Sequence, residues 1–176
     1  MEHVALNDRQ LSYLAFEDPL LKHYFAGTFP CDMLPKHPGK SRPRGYIVNT
    51  DPHDQPGQHW MALWTQNNVC EVMDSYALPL DTYRQAQPLR DWLTKWKYVV
   101  ANGTSLQGLH SQACRHYALM YLKTRANGFT VHDFVKNFSD YNRVKNGHHV
   151  GELLKQTIVN DQIWSCDGKQ TCTARA

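Results

Sequence analysis

At 176 residues, with 41% hydrophobic and 20% charged side chains, the chain suits a single domain, 1–176, with a sizeable core. That balance excludes a disordered chain, and no apolar run approaches the ~20 residues of a membrane span. A net charge of +3 supports at most weak attraction to nucleic acid. The cationic group Lys36, Lys40, Arg42 and Arg44 reads first as a solvated loop.

In chain order, Leu6 to Phe16 and Pro19 to Phe25 read as helices, the second capped by Asp18 with Pro19 at its first position. Four prolines and two glycines make residues 27–43 an irregular loop. Three strands come next, at 45–49, 58–64 and 69–75, with Gln66-Asn67-Asn68 as the hairpin turn between the last two. The middle strand is apolar on both faces, as a central strand is. Residues 81–94 read as a helix and Trp96 to Val100 as a fourth strand. A buried helix runs from about Ser111 to Ala126 and stops at Asn127-Gly128. Thr130 and Val131 open a short helix, His148 to Asn160 is the last, and the tail 161–176 reads as flexible. This order predicts an α+β domain: a small mixed sheet, mostly antiparallel, flanked by helices.

The five cysteines, Cys31, Cys70, Cys114, Cys166 and Cys172, are odd in number and scattered. They form neither a disulfide framework nor a CxxC zinc site, so no metal is expected. Cys166 and Cys172 would bridge only in an oxidant. The start, Met1-Glu2-His3-Val4-Ala5, lacks a basic region followed by an apolar stretch, so an intracellular, reducing compartment is expected. Asn102-Gly103-Thr104 and Asn137-Phe138-Ser139 match the glycosylation pattern and are coincidental there.

Cys114 stands apart because it opens a helix behind a turn. Backbone N–H groups and the helix dipole favour its thiolate there, whereas a lone cysteine in mid-helix is usually a core residue. A thiolate nucleophile needs a proton acceptor. His59, at a strand end beside the Pro56-Gly57 turn, is the best candidate. His116 points to another face of the helix, and His110 sits on a loop with nothing to orient it. Asp74 falls roughly opposite His59 across the hairpin and could hold its ring. Glu71, three residues earlier, lies on the other face by alternation. Gln107, seven residues before Cys114, can donate to an oxyanion, with the Cys114 backbone N–H as the second donor.

These residues, in the order Gln58-His59-Trp60-Met61-Ala62, Cys70-x-x-x-Asp74, and Gln107-Gly108 with Cys114 seven residues after the glutamine, resemble the adenovirus-type cysteine protease (adenain) family. That family is related to the SUMO-deconjugating proteases. Asp18 to Pro30 and Tyr46-Ile47-Val48-Asn49-Thr50 are similar to its N-terminal segment and first strand. The resemblance implies a papain-like/adenain-like fold and a cysteine endopeptidase of a DNA virus or virus-like mobile element. Such an enzyme would cleave virion precursor proteins near small or glycine residues. Its setting would be the host nucleus and the virion. It implies catalytic roles for Cys114, His59 and Asp74, an oxyanion role for Gln107, and substrate contacts at Trp60 and Arg115. Arg115 departs from the family, which has glycine after the cysteine. The chemistry requires no cofactor. The resemblance adds a peptide activator and DNA as partners. A disulfide-linked activator is not expected, because Trp96 to Val100 holds no cysteine. The resemblance says nothing of oligomeric state, and a monomer is expected. A deconjugase cutting ubiquitin-like tails and an inactive protease-like binding module are the alternatives.

Overall fold

The computed structural model describes residues 6–158. The tail 161–176, Cys166, Cys172 and the last two residues of the expected helix 148–160 lie outside the described residues.

Helix α1 spans Asp8–Glu17, and its start is set by Asn7. The Asn7 side chain accepts the Gln10 N–H, and the Gln10 side chain accepts the Asn7 N–H in return. Asp18 does cap the next turn, accepting the N–H groups of Leu20 and Leu21 at 3.0 and 2.8 Å. The expected helix is nevertheless one 3-10 turn, Leu21–His23, and residues Phe25–Pro30 form strand β1. The loop assigned to 27–43 thus begins later, after residue 30. Gly27 and Pro30 hid the strand locally. Its ladder comes from a distant partner, the strand β2 at Arg44–Asn49.

Strands β3 (Trp60–Gln66) and β4 (Val69–Met73) form the expected hairpin. Asn67 and Asn68 turn it with positive φ of 50° and 65°, the left-handed pair that matches strand twist. Ala62 pairs with Met73, so the register is offset from the expected one. His59 and Asp74 are diagonal rather than directly opposite. Strand β5 (Tyr98–Ala101) completes a sheet of order β1-β2-β3-β4-β5. Both outer pairs are parallel and both inner pairs antiparallel. The sheet is therefore evenly mixed rather than mostly antiparallel. Each outer strand is joined to its neighbour by a long crossover, as parallel pairing requires.

The expected helix 81–94 is broken. Two 3-10 turns, Leu80–Thr82 and Arg84–Ala86, precede α2 (Gln87–Leu93), which begins where Pro88 fits its first turn. Arg90 Nη1 donates to the Leu80 and Tyr83 carbonyls, both at 2.9 Å, and holds those turns in place of a helical ladder. Helix α3 spans Cys114–Ala126, so Cys114 is its first residue. Thr130 caps α4 (Val131–Val135). Helix α5 spans Arg143–Ile158. It starts five residues before the expected His148, at a turn where Asn142 Oδ1 accepts the Lys145 N–H.

The sheet buries a core on each face. On one, Trp60, Ala62 and Trp64 meet Tyr117, Tyr121 and Leu122 of α3. On the other, Met61, Leu63 and Val72 meet Leu89 and Trp92 of α2. The proline-rich basic loop is pinned to the α2 side by Trp92 Nε1 to the Pro35 carbonyl (2.9 Å) and by Lys40 Nζ to the Lys95 carbonyl (2.6 Å). Its four cationic residues remain exposed. No described helix is long and apolar enough to cross a membrane.

Candidate active site

Three element ends converge. His59 immediately precedes β3, Asp74 comes directly after β4, and Cys114 begins α3. The turn leading into His59 depends on Gly57. Its φ is +78°, and a Cβ there would collide with the Asn49 amide. The same Asn49 side chain accepts the Asp51 N–H at 2.8 Å, and Asp51 accepts the Gln58 N–H at 3.1 Å. The backbone carrying His59 is thus tied to β2.

His59 Nε2 donates to Asp74 Oδ1 at 2.7 Å, and both side chains are buried. His59 and the Cys114 sulfur are also coupled electrostatically, each shifting the titration of the other. Asp74 accepts four hydrogen bonds. His59 and the Tyr76 N–H (2.9 Å) reach Oδ1; the Leu78 N–H (3.1 Å) and the Tyr83 hydroxyl (2.8 Å) reach Oδ2. An ionised carboxylate offers about four acceptor sites, and all are filled.

The electrostatics arise from these contacts. Burial alone would raise the Asp74 pKa, but its hydrogen bonds and the charge of His59 hold it below the usual carboxylate value. Burial would lower His59, but Asp74 and the Cys114 sulfur raise it to about 9. Burial would push the Cys114 thiol up. The His59 hydrogen bond and charge, the Trp60 backbone and Arg115 bring it below its ordinary value instead. Both shifts favour the imidazolium–thiolate form of the pair. Alkylation of Cys114 by iodoacetamide is expected to reach its half-maximal rate below the pH of an ordinary thiol, about 8.5. In His59→Ala the counter-charge is gone while the burial remains. The midpoint then moves above that of an ordinary thiol, a shift read directly from the pH–rate profile.

Gln107 lies beside the pair but is fully engaged. Its Oε1 accepts the Ser75 hydroxyl at 2.6 Å. Its Nε2 donates to the Ser111 carbonyl at 2.6 Å and to the Tyr76 hydroxyl oxygen at 3.2 Å. The Cys114 N–H belongs to the first turn of α3, among the donors that a helix leaves unpaired. Trp60 is buried under Arg115, whose guanidinium carbon lies 5.1 Å from the indole centroid. The Arg115 Nη2 is 3.6 Å from Asp8. A cavity of about 440 Å³ opens beside Trp60, lined also by Ser12, Thr28, Asp51 and His53. Of the other candidates, His110 is exposed on its loop and His116 is buried in α3. Glu71 faces α3, as alternation requires, and bonds Tyr121.

Three participants were not picked out from sequence. Tyr83 stacks on His59 (centroids 5.3 Å, planes 6° apart) while its hydroxyl bonds Asp74. Tyr76 packs its ring against His59, centroids 4.8 Å apart. Asn102 grips the Asp74 backbone, accepting its N–H at 2.8 Å and donating to its carbonyl at 2.7 Å. The only sequence signal at Asn102 was the glycosylation pattern, and its side chain is committed to this internal clamp. Among the described residues, no three His, Cys, Asp or Glu side chains converge as a metal site.

No family model matches the chain, and no curated protein matches it. Among solved structures, it is similar to the crystal structure of the ASFV pS273R protease in selenomethionine form. The identity is 18%, over 63% of this chain and 43% of that chain, with a TM-score of 0.39. The chain spans less than half the length of that protein. A likeness at this level carries no argument about chemistry, which rests on the residues of this chain.

Proposed function

We propose that this protein is a cysteine endopeptidase working by acyl transfer through Cys114. The observation that carries this reading is the buried pair at the strand ends: His59 Nε2 donates to Asp74 at 2.7 Å, and Cys114, whose titration is coupled to His59, opens the helix packed on that strand. The thiolate attacks a peptide carbonyl carbon. The C–S bond forms as the carbonyl π pair moves to oxygen. The oxyanion is received at the corner made by the Cys114 N–H and the Gln107 cluster. Collapse expels the amine, which takes its proton from the His59 imidazolium, and water then hydrolyses the thioester with His59 as base. Asp74 fixes the ring throughout. Trp60 and Arg115 wall the substrate channel. Because the leaving amine needs the imidazolium, activity falls on the alkaline side as pH passes about 9, where His59 loses its proton.

By the family resemblance, the substrates are virion precursor proteins of a DNA virus or mobile element, cut near small or glycine residues. A non-covalent peptide activator and DNA belong to the same proposal, as does action in the host nucleus and virion. The test is direct. Wild-type protein is expected to cleave Gly-Gly peptides and to be labelled on Cys114 by a peptide vinyl sulfone, while Cys114→Ala does neither. Labelling that persists in the variant, or a wild type that turns over no such peptide, sinks the reading. Cleavage of SUMO-type fusions in preference to extended peptides would move the assignment to a deconjugase.

A further inference from the structure

The predicted oxyanion donor presents a difficulty. A primary amide has two N–H donors, and both of Gln107's are used inside the protein. The shorter of these bonds, 2.6 Å to the Ser111 carbonyl, also fixes the loop that leads to Cys114. Freeing the shorter one would release that loop. The donor that is not well used belongs to the next group along. The Tyr76 oxygen accepts from Gln107, which leaves its own O–H. Within the protein that O–H reaches the Ser111 carbonyl at 3.4 Å, beyond the range of a good O–H···O bond, at an oxygen that also accepts the much shorter Gln107 bond.

Tyr76 is also placed for the work. Its ring packs on His59, and its oxygen sits between Gln107 Nε2 and the carbonyl of Ser111, three residues before Cys114. Burial first, then the charges on Cys114 and Asp74, raise its pKa above the ordinary phenol value, so the group acts as a donor rather than as an acid. The turn that carries it is held rigid. Asp74 accepts the N–H of Tyr76 through its side chain and that of Ala77 (2.9 Å) through its carbonyl. Ala77 adopts a φ of +50°, a left-handed conformation that a residue with a Cβ keeps only when its surroundings impose it. A residue that must swing aside needs a loose mount. A donor aimed at a developing charge needs a rigid one.

We propose that the phenolic O–H of Tyr76 is the second oxyanion donor beside the Cys114 N–H, with Gln107 a positioning residue that polarises and aims it. This rests on the acyl-transfer reading. When the thiolate adds to the carbonyl, the negative charge forms on oxygen, and Tyr76 donates a hydrogen bond to it while keeping its proton. Polarisation by the Gln107 N–H strengthens that donor, since bonds in a chain reinforce one another.

The test compares wild type with Tyr76→Phe in three assays. Peptide turnover reads the transition state. Inhibition by a Gly-Gly peptide aldehyde reads the oxygen of a thiohemiacetal in the same place. Iodoacetamide alkylation of Cys114 forms no oxyanion. Expected in the variant are a kcat lowered about 10²-fold with KM unchanged and an aldehyde Ki weakened by a similar factor. The alkylation rate should equal that of wild type. 3-Fluorotyrosine at position 76, which keeps the O–H, should restore kcat. A Tyr76→Phe variant that turns over substrate as well as wild type, or faster, overturns the role of Tyr76 alone and returns Gln107 to direct donation. A wild type that neither cleaves peptides nor binds the aldehyde overturns both this role and the protease reading.

Discussion

Asp74→Asn is expected to lower kcat by about 10³- to 10⁴-fold with little change in KM, by analogy with the loss of an orienting carboxylate in other triads. The carboxylate accepts four hydrogen bonds and returns none. An amide in its place must point an NH2 group at one pair of those donors. Facing Leu78 and Tyr83, it meets one fixed N–H and one rotatable hydroxyl. Facing His59 and Tyr76, it meets a fixed N–H and drives the imidazole into the tautomer that cannot take the Cys114 proton. The first orientation costs less, yet even there the negative charge that raises His59 to about 9 is lost. The alkaline limb of the activity profile therefore moves down towards the ordinary histidine value, about 6.5, together with the fall in kcat. Stability carries a second signature. The Asp74 pKa is depressed in the folded state. Its contribution is present above the unfolded value, about 3.9, and is lost as pH falls through the lower folded value. The wild type should therefore lose this increment of stability in acid, whereas Asp74→Asn has none to lose there. Steady-state kinetics against pH and melting curves between neutral and acid pH check the two signatures. A variant within about tenfold of wild type would remove Asp74 from the site, since general base effects alone are worth more than that.

How much of this was legible in the sequence depended on where each residue sits. His59 and Asp74 flank a hairpin and Cys114 opens a helix, so the hairpin turn related the first two, although the register is offset, and the helix start singled out the third. Glu71 was separated from Asp74 by alternation. Strand β1 has little local signature beyond Phe25 and Phe29, because a parallel edge strand is held by partners that here lie nineteen or twenty residues away. Tyr76 and Tyr83 sit in the irregular stretch between β4 and α2, where no periodicity predicts which way a side chain turns. Their roles come from two 3-10 turns and the hydrogen bonds of one carboxylate, a pattern of long-range contacts rather than of spacing. Gln107 shows the opposite limit. Its position was readable, but the occupancy of its amide hydrogens was not.

Glu71→Ala is expected to destabilise the fold by about 3 to 5 kcal/mol while leaving the reactivity of the remaining folded Cys114 unchanged. The reason lies on the α3 face of the sheet. One carboxylate oxygen of Glu71 accepts the Tyr121 hydroxyl at 2.7 Å and the Val131 N–H at 3.2 Å, and it lies 3.1 Å from Arg125 Nε. The Arg125 contact is an ion pair rather than a hydrogen bond, because that N–H does not point along it. The guanidinium also lies over Trp64, 5.1 Å from its centroid. Removing Glu71 strands a mostly buried cation, leaves the Tyr121 hydroxyl unmet, and releases the first N–H of α4. Glu71→Gln keeps an acceptor for Tyr121 and Val131 and loses the charge, so it should cost less than Ala but more than a surface change. Urea unfolding followed by tryptophan fluorescence measures both variants. A Glu71→Ala loss below about 0.5 kcal/mol, the scale of an ordinary surface substitution, would contradict this account. The contrast with Asp74 is the point of the experiment. Two acidic residues three positions apart, one in β4 and one just beyond its end, should separate cleanly. One should govern turnover through His59, and the other should hold α3 and α4 to the sheet without touching the chemistry.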